Sequence, residues 1–173
     1  MTHVRPPRAG DTDLVVRPAA PADHDAVGDL VAAAYADFLL GPDDPYLARL
    51  RDSAARAAQA ELWVAADSGG GLLGTVTICP DGSPWREIAG PDEGEFRMLA
   101  VSPAAQGRGV GARLVELALE RARTEGRRAV VLSSLPQMSA AHRVYERFGF
   151  VAVPERDWQP APGVELRAFR VAL

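Results

Sequence analysis

An α/β domain is what this sequence predicts, on three observations. A strand pattern, Glu95-Phe-Arg-Met-Leu-Ala-Val101, passes through Pro103 into the glycine-rich run Gln106-Gly-Arg-Gly-Val-Gly111 and on into a helical pattern. Short apolar runs and 3.6-residue apolar stripes then follow one another along most of the chain, with no internal repeat and no shift of composition to mark a second domain. At 173 residues the chain also matches one domain, long enough to bury about 70% of its unfolded surface without disulfides or a structural metal.

The elements follow in order. Residues 1–12 carry Pro, Arg and Gly without a period and read as a loose terminus ahead of a domain spanning 13–173. Leu14-Val-Val-Arg17 reads as a strand, and Asp23 is placed to cap a helix whose apolar residues Val27, Leu30, Val31, Ala34, Tyr35 and Phe38 recur at helical spacing until Gly41-Pro42. A second helix is expected from Pro45 to about Ala60, then a hairpin of strands Glu61–Ala66 and Leu72–Ile78 around Gly69-Gly-Gly71. Cys79 to Gly94, with three prolines, three glycines and Trp85, reads as a long loop, and loops of this length are often functional. Beyond the Glu95 strand, Val110 to Glu125 is an amphipathic helix stopped by Gly126, and Ala129–Ser134 is a strand. A helix from Ser139 to Phe148 ends at Gly149. Phe150–Val153, a loop through Pro154, Pro160 and Pro162, and a strand over Val164–Val171 close the chain.

Composition narrows the function classes. Cys79 is the single cysteine, so no disulfide forms within the chain, which fits a reducing cytoplasm. No signal-like apolar core follows Met1 and no apolar stretch reaches membrane-spanning length, so neither secretion nor a membrane partner is expected. A formal charge of −4 argues against nucleic acid as the main partner. No His/Cys/Asp/Glu spacing suggests a metal; His3 falls in the terminus, His24 near a helix start, and His142 on the outer face of its helix.

The glycine-rich turn suits a phosphate. Three glycines within five residues let the backbone approach a ligand closely, and a helix start aims unpaired N–H groups and partial positive charge at it. Such a turn can also bind nothing, and its flanks decide between families. Gly107-Arg-Gly-Val-Gly-Ala112 can be written as a dinucleotide fingerprint. That motif needs a strand ending at the first glycine and an acidic residue about 20 residues on, whereas Pro103-Ala-Ala-Gln106 intervenes here and the next strand ends in serines.

Gln106-x-x-Gly109-x-Gly111 instead resembles the Q/R-x-x-G-x-G/A signature of the GNAT superfamily of acyl-CoA-dependent N-acyltransferases. Ala140-Ala-His-Arg-Val-Tyr-Glu-Arg-Phe-Gly-Phe150 resembles that family's A-x-x-x-x-Y-E-x-x-G-F segment. The close resemblance spans Glu95 to Phe150 and the order of elements extends it over most of the chain. It implies a mixed, mostly antiparallel sheet of six to seven strands with about four helices, in which the Glu95 and Ala129 strands are parallel and splay apart. Acetyl-CoA is the implied co-substrate. Its pantetheine arm would lie in the splay on the backbone of Leu99, Ala100 and Val101, with the pyrophosphate on Gln106, Gly107, Arg108, Gly109, Val110, Gly111 and Ala112. Arg108 and Arg113 are candidate phosphate partners, against the ordinary alternative of solvated surface charge.

The resemblance also implies two catalytic roles. N-acyl transfer needs a neutral amine, a polarised thioester carbonyl and a proton for the departing thiolate. Glu95 stands where GNAT histone acetyltransferases carry a general base, often acting through water, while many relatives deprotonate the amine by water chains instead; strand alternation would put it on one face with Arg97, Leu99 and Val101, and its structural alternative is an edge carboxylate paired with Arg97 or Arg128. Tyr145 matches the tyrosine that protonates the CoA sulfur, although Ala141, Val144, Tyr145 and Phe148 also form a stripe that would pack in a core. An asparagine often stands seven residues before that tyrosine. Here the position is Met138, and Ser139 or Ser134 is the expected substitute at the helix start.

The implied activity is acetyl transfer from acetyl-CoA to a primary amine on a small molecule or a peptide, with a non-catalytic acyl-CoA-binding module as the alternative. The acceptor would meet the first two helices, the Cys79–Gly94 loop and the final hairpin. Tyr35, Phe38 and Trp85 are therefore candidate acceptor-binding residues, joined by Tyr46, Glu93 and Trp158, and an aromatic wall with an acidic rim would suit an amine. A homodimer is left open.

Overall fold

The structure, a computed structural model, describes residues 13–173. The loose terminus expected over residues 1–12 lies outside the described residues. The elements are β1 (Val15–Pro18), α1 (His24–Tyr35), α2 (Pro45–Arg51), α3 (Ser53–Gln59), β2 (Glu61–Ala66), β3 (Leu72–Ile78), β4 (Glu93–Val101), α4 (Val110–Thr124), β5 (Ala129–Ser134), α5 (Ser139–Arg147), β6 (Val151–Ala152), β7 (Trp158–Ala161) and β8 (Val164–Ala172). The strands form one sheet in the order β1-β2-β3-β4-β5-β8-β6, with β7 paired to β8 beside it. All neighbours are antiparallel except β4 and β5.

Two differences from the expected element count have local causes. The helix expected over Pro45 to Ala60 is broken at Asp52, which sits at φ −78°, ψ 64° and turns its side chain to accept from Ala55 N–H, capping α3 as a new start. β7 forms despite Pro160, because it lies at the edge of the sheet and pairs on one side only. The sheet therefore has eight strands and the described residues five helices.

Apolar residues bury on both sheet faces. One cluster packs Val110, Leu114, Ala118 and Leu119 of α4 and Tyr145 of α5 against Val76, Phe96, Val130, Leu132 and Phe169. The other packs Val27 and Val31 of α1 and Leu50 of α2 against Leu62, Val64, Met98 and Ala100, with Trp85 from the long loop. Helices α1 and α2 touch closely at Gly28, where a Cβ would stand 2.6 Å from the Arg51 carbonyl oxygen.

The central opening arises in β4. Its parallel pairing with β5 covers only Glu93–Glu95 against Ala129–Val131, while β3 stays paired to it through Val101. Thr75 faces Ala100 and Thr77 faces Arg97, so β4 carries one more residue than β3 between these pairs. Met98 takes φ 52°, the left-handed region that a methionine rarely adopts. This bulge bends β4 away from β5. It also corrects the expected alternation: Leu99 and Val101 join Phe96 on the α4 face, whereas Met98 and Ala100 lie with Glu95 and Arg97 on the α1 face.

Candidate active site

The turn before α4 is exposed from Gln106 to Gly109. Gly109 precedes the helix at φ 80°, a conformation open to glycine at little cost. The first helical bond runs from Arg113 N–H to the Gly109 carbonyl, which leaves the amides of Gly109, Val110, Gly111 and Ala112 without a backbone partner among the described residues. Val110 itself is buried and pins the helix start to the core. A row of free amides at the positive end of a fifteen-residue helix fits a pyrophosphate. Arg113 pairs with Glu116 in the same helix, while Arg108 is exposed and pairs with no carboxylate among the described residues. Leu99, Ala100 and Val101 lie on the stretch of β4 that β5 leaves unpaired, so that edge is open to hydrogen bonding with an extended chain.

Tyr145 projects from α5 into the sheet, 5% exposed. Its ring stands 6.1 Å from Phe96, 5.8 Å from Phe150 and 6.1 Å from Phe169, bridging the strands on both sides of the opening. Burial pushes its hydroxyl well above the ordinary phenol range, which keeps it protonated. His142, one turn earlier, is not on the outer face as expected: it is half-buried 4.8 Å from the Phe169 ring, with Nε2 3.0 Å from Ser134 Oγ. Desolvation lowers its pKa. Ser134 is thereby engaged away from the helix start. α5 starts after Met138, which makes no side-chain cap bond at the helix start.

Glu95 is 2% exposed, and its carboxylate faces the long loop. Oε2 accepts from the amides of Glu87 (3.0 Å), Ile88 (3.1 Å) and Ala89 (3.0 Å), and Oε1 accepts from Glu87 N–H at 3.1 Å. Both oxygens hold the long loop in place. Neither Arg97 nor Arg128 is its partner. Arg97 instead pairs with Glu87 at 2.8 Å and donates to the Trp85 carbonyl.

The expected acceptor residues divide. The Trp85 ring is buried, donates to Gln59 Oε1 at 2.9 Å, and has the guanidinium carbons of Arg49, Arg56 and Arg97 at 4.7, 5.9 and 5.9 Å from its centroid. Tyr35 packs against the apolar cluster on the α1 face, and Tyr46, at the first turn of α2, is 36% exposed. Phe38 is half-buried in the turn after α1 and joins neither apolar cluster. Glu93 binds Arg156 and Arg170 and accepts from Gly90 N–H; these contacts, the Arg156 bond foremost, hold its pKa down to about 2. Trp158 donates to Ser133 Oγ. An acidic rim is thus replaced by a cluster dominated by arginine. Arg56 and Glu87 carried no signal in the sequence, where an arginine among alanines and a glutamate in a loop read as solvated surface.

A sheet opened between two parallel strands, with a row of free amides at the neighbouring helix start, defines a CoA-dependent acyltransferase scaffold. Residues 28–150 match the model of the acetyltransferase (GNAT) family, and the chain belongs to that family. It is 32% identical over 141 residues to a mycothiol acetyltransferase of Cellulomonas flavigena, covering 74% of this chain and 37% of that protein. The chain spans about a third of the length of the curated relatives it matches. A GCN5-related N-acetyltransferase from Kribbella flavida superposes with a TM-score of 0.70 at 27% identity, covering 94% of this chain and 99% of that one. A chain from Salmonella typhimurium solved with its cofactor acetyl-CoA gives a TM-score of 0.67 at 22% identity, over 93% and 94% of the two chains. No described helix is long and apolar enough to cross a membrane.

Proposed function

We propose that the protein transfers an acetyl group from acetyl-CoA directly to a primary amine, in the cytoplasm. The observation that carries this reading is the set of four free amides from Gly109 to Ala112 at the start of α4, beside the open edge of β4 and the buried hydroxyl of Tyr145. The pyrophosphate sits on the amides, with Arg108 as the available cation, and the pantetheine arm bonds to the unpaired edge of β4 as an added strand would. This carries the thioester into the opening.

The neutral amine nitrogen attacks the thioester carbonyl carbon. The C–N bond forms, the tetrahedral intermediate collapses with cleavage of C–S, and the acetamide remains. The thiolate takes a proton from Tyr145, whose hydroxyl is held protonated by burial, and the proton that the nitrogen sheds once the C–N bond has formed restores the phenol. Glu95 is left out of the proton path, because three loop amides already occupy its oxygens.

Tyr145→Phe tests the assignment. It removes one hydroxyl and keeps the ring, so acetyl-CoA affinity stays near the native value while the rate constant for transfer falls about 10²-fold or more. Measuring CoA binding by calorimetry alongside thiol release separates the two quantities. Native turnover in the variant, where chemistry limits, would leave Tyr145 a packing residue. CoA binding without thiol release for any amine would favour the non-catalytic module.

A further inference from the structure

Helix α5 carries Tyr145 and is seated on the sheet by one narrow stripe. Among its residues only Tyr145 is buried; its start after Met138 has no side-chain cap, and its first turn carries no acidic residue to complement the positive end of the helix. The position of Tyr145 therefore depends on its neighbours in the stripe. Ala141, Val144 and Phe148 are partly buried and pack against the cluster that contains Tyr145. His142 is the other member of the stripe, and it can change its charge near neutral pH.

The surroundings of His142 suit a neutral ring. It lies 4.8 Å from the Phe169 ring of β8 and 6.3 Å from the Tyr145 ring, and its Nε2 is 3.0 Å from Oγ of Ser134, a residue of β5 that is 5% exposed. The Leu135 carbonyl takes the single N–H of the neutral ring, so Nε2 accepts from the Ser134 hydroxyl. Protonation turns both ring nitrogens into donors and leaves that buried hydroxyl proton without its acceptor. Burial first, and then Arg167 of β8, the cross-strand partner of Ser134, hold the His142 pKa below its ordinary value. The ring also stands in the first turns of α5, near the positive end of the helix. Glu146, one turn further along, is the carboxylate that favours the charged ring, and it is outweighed.

We propose that neutral His142 holds α5 on the sheet with Tyr145 in its catalytic position, and that protonation of His142 unseats the first turns of α5 and switches acetyl transfer off. His142 acts through Tyr145 and is a positioning residue. The proposal rests on the reading of Tyr145 as the proton donor and adds its control by acid. Because the fold favours the neutral ring, the seat is complete above the ordinary histidine pKa of about 6.5 and is lost as pH falls through the lower folded value.

The experiment measures the rate constant for transfer at saturating acetyl-CoA, from about pH 8 to about pH 5, in the native protein and in His142→Gln, whose amide does not titrate. Ionisation of the amine is common to both proteins and cancels in the ratio of their rates. That ratio, native over variant, is expected to fall about threefold or more across the range, while CoA affinity follows the same pH dependence in both. Arg167→Gln, an exposed change on β8, removes the opposing cation and moves the fall to higher pH. Adding Tyr145→Phe to both proteins flattens the ratio, since no hydroxyl remains to be positioned; a general loosening of the fold by acid would leave it sloped. A flat ratio in proteins that keep Tyr145 overturns the proposal and leaves the acetyltransferase reading standing. A slope that survives Tyr145→Phe also overturns it. If Tyr145→Phe alone transfers at the native rate, the proton-donor reading fails and the proposal falls with it. Should His142→Gln not fold, the rate of Arg167→Gln relative to the native protein decides: a ratio constant with pH overturns the proposal.

Discussion

Residues 106–109 lie open on one continuous turn, whereas the cluster around Trp85 is closed and gathers charged side chains from α2, α3, the long loop and β4. The first region presents backbone amides, which any sequence supplies once glycine permits the turn. The second presents side chains brought from up to 48 residues apart, Arg49 to Arg97. One consequence is that damage to the two regions should be separable. Backbone strain at the turn weakens cofactor binding and spares the fold, while loss of a buried carboxylate in the cluster strikes the fold first.

The largest effect is expected at Glu95. Glu95→Gln replaces the acceptor of three amides with a group that brings its own N–H donors against them, so the long loop loses its anchor. A destabilisation of about 2–4 kcal/mol follows from removing buried charge-assisted hydrogen bonds, read as a fall in the urea midpoint. CoA affinity in the folded variant should stay native. A stable variant with lower transfer at low pH would return Glu95 to the proton path and erase the contrast.

Gly109→Val comes next. Beyond the adjoining residues no described atom lies within 4 Å of a Cβ built there, so the surrounding protein does not oppose the substitution; the backbone at φ 80° does. The turn must move, and CoA binding should weaken by about tenfold or more, roughly 1.4 kcal/mol, measured by calorimetry. Unchanged affinity would remove the amides from the cofactor site.

The smallest effect sharpens the same region. Arg108→Ala should weaken CoA binding about threefold to tenfold through loss of one exposed phosphate contact, with the gap closing at high salt. Arg113→Ala should change it less than about twofold, since Arg113 is already paired to Glu116. The reverse order would show that the arginine in the helix, not the one in the turn, meets the phosphates.

How much was legible depended on the range of the cause. Strands Glu61–Ala66, Leu72–Ile78 and Ala129–Ser134 have the bounds their apolar runs and turn residues predict. The break at Asp52 was missed because aspartate caps a helix only if the preceding one stops there, and alanines on both sides favour continuing. The face assignment along β4 was missed because the bulge falls on a methionine, which marks no turn and bears no expectation of a positive φ. His142 was placed outward since helical spacing alone does not say which stripe meets the sheet; the contact with Phe169 does.

By itself the sequence determined the alternation of elements, the glycine turn before α4 and the position of Tyr145, all of them set by residues within a few turns of one another. Only the tertiary structure decided that Glu95 anchors a loop, that Arg97 answers Glu87, and that Arg56 turns inward to the carbonyls at the end of α2. The reason is physical. A backbone turn is governed by local φ/ψ limits, while the partner of a charged side chain is chosen by whatever the fold brings into the same low-dielectric space.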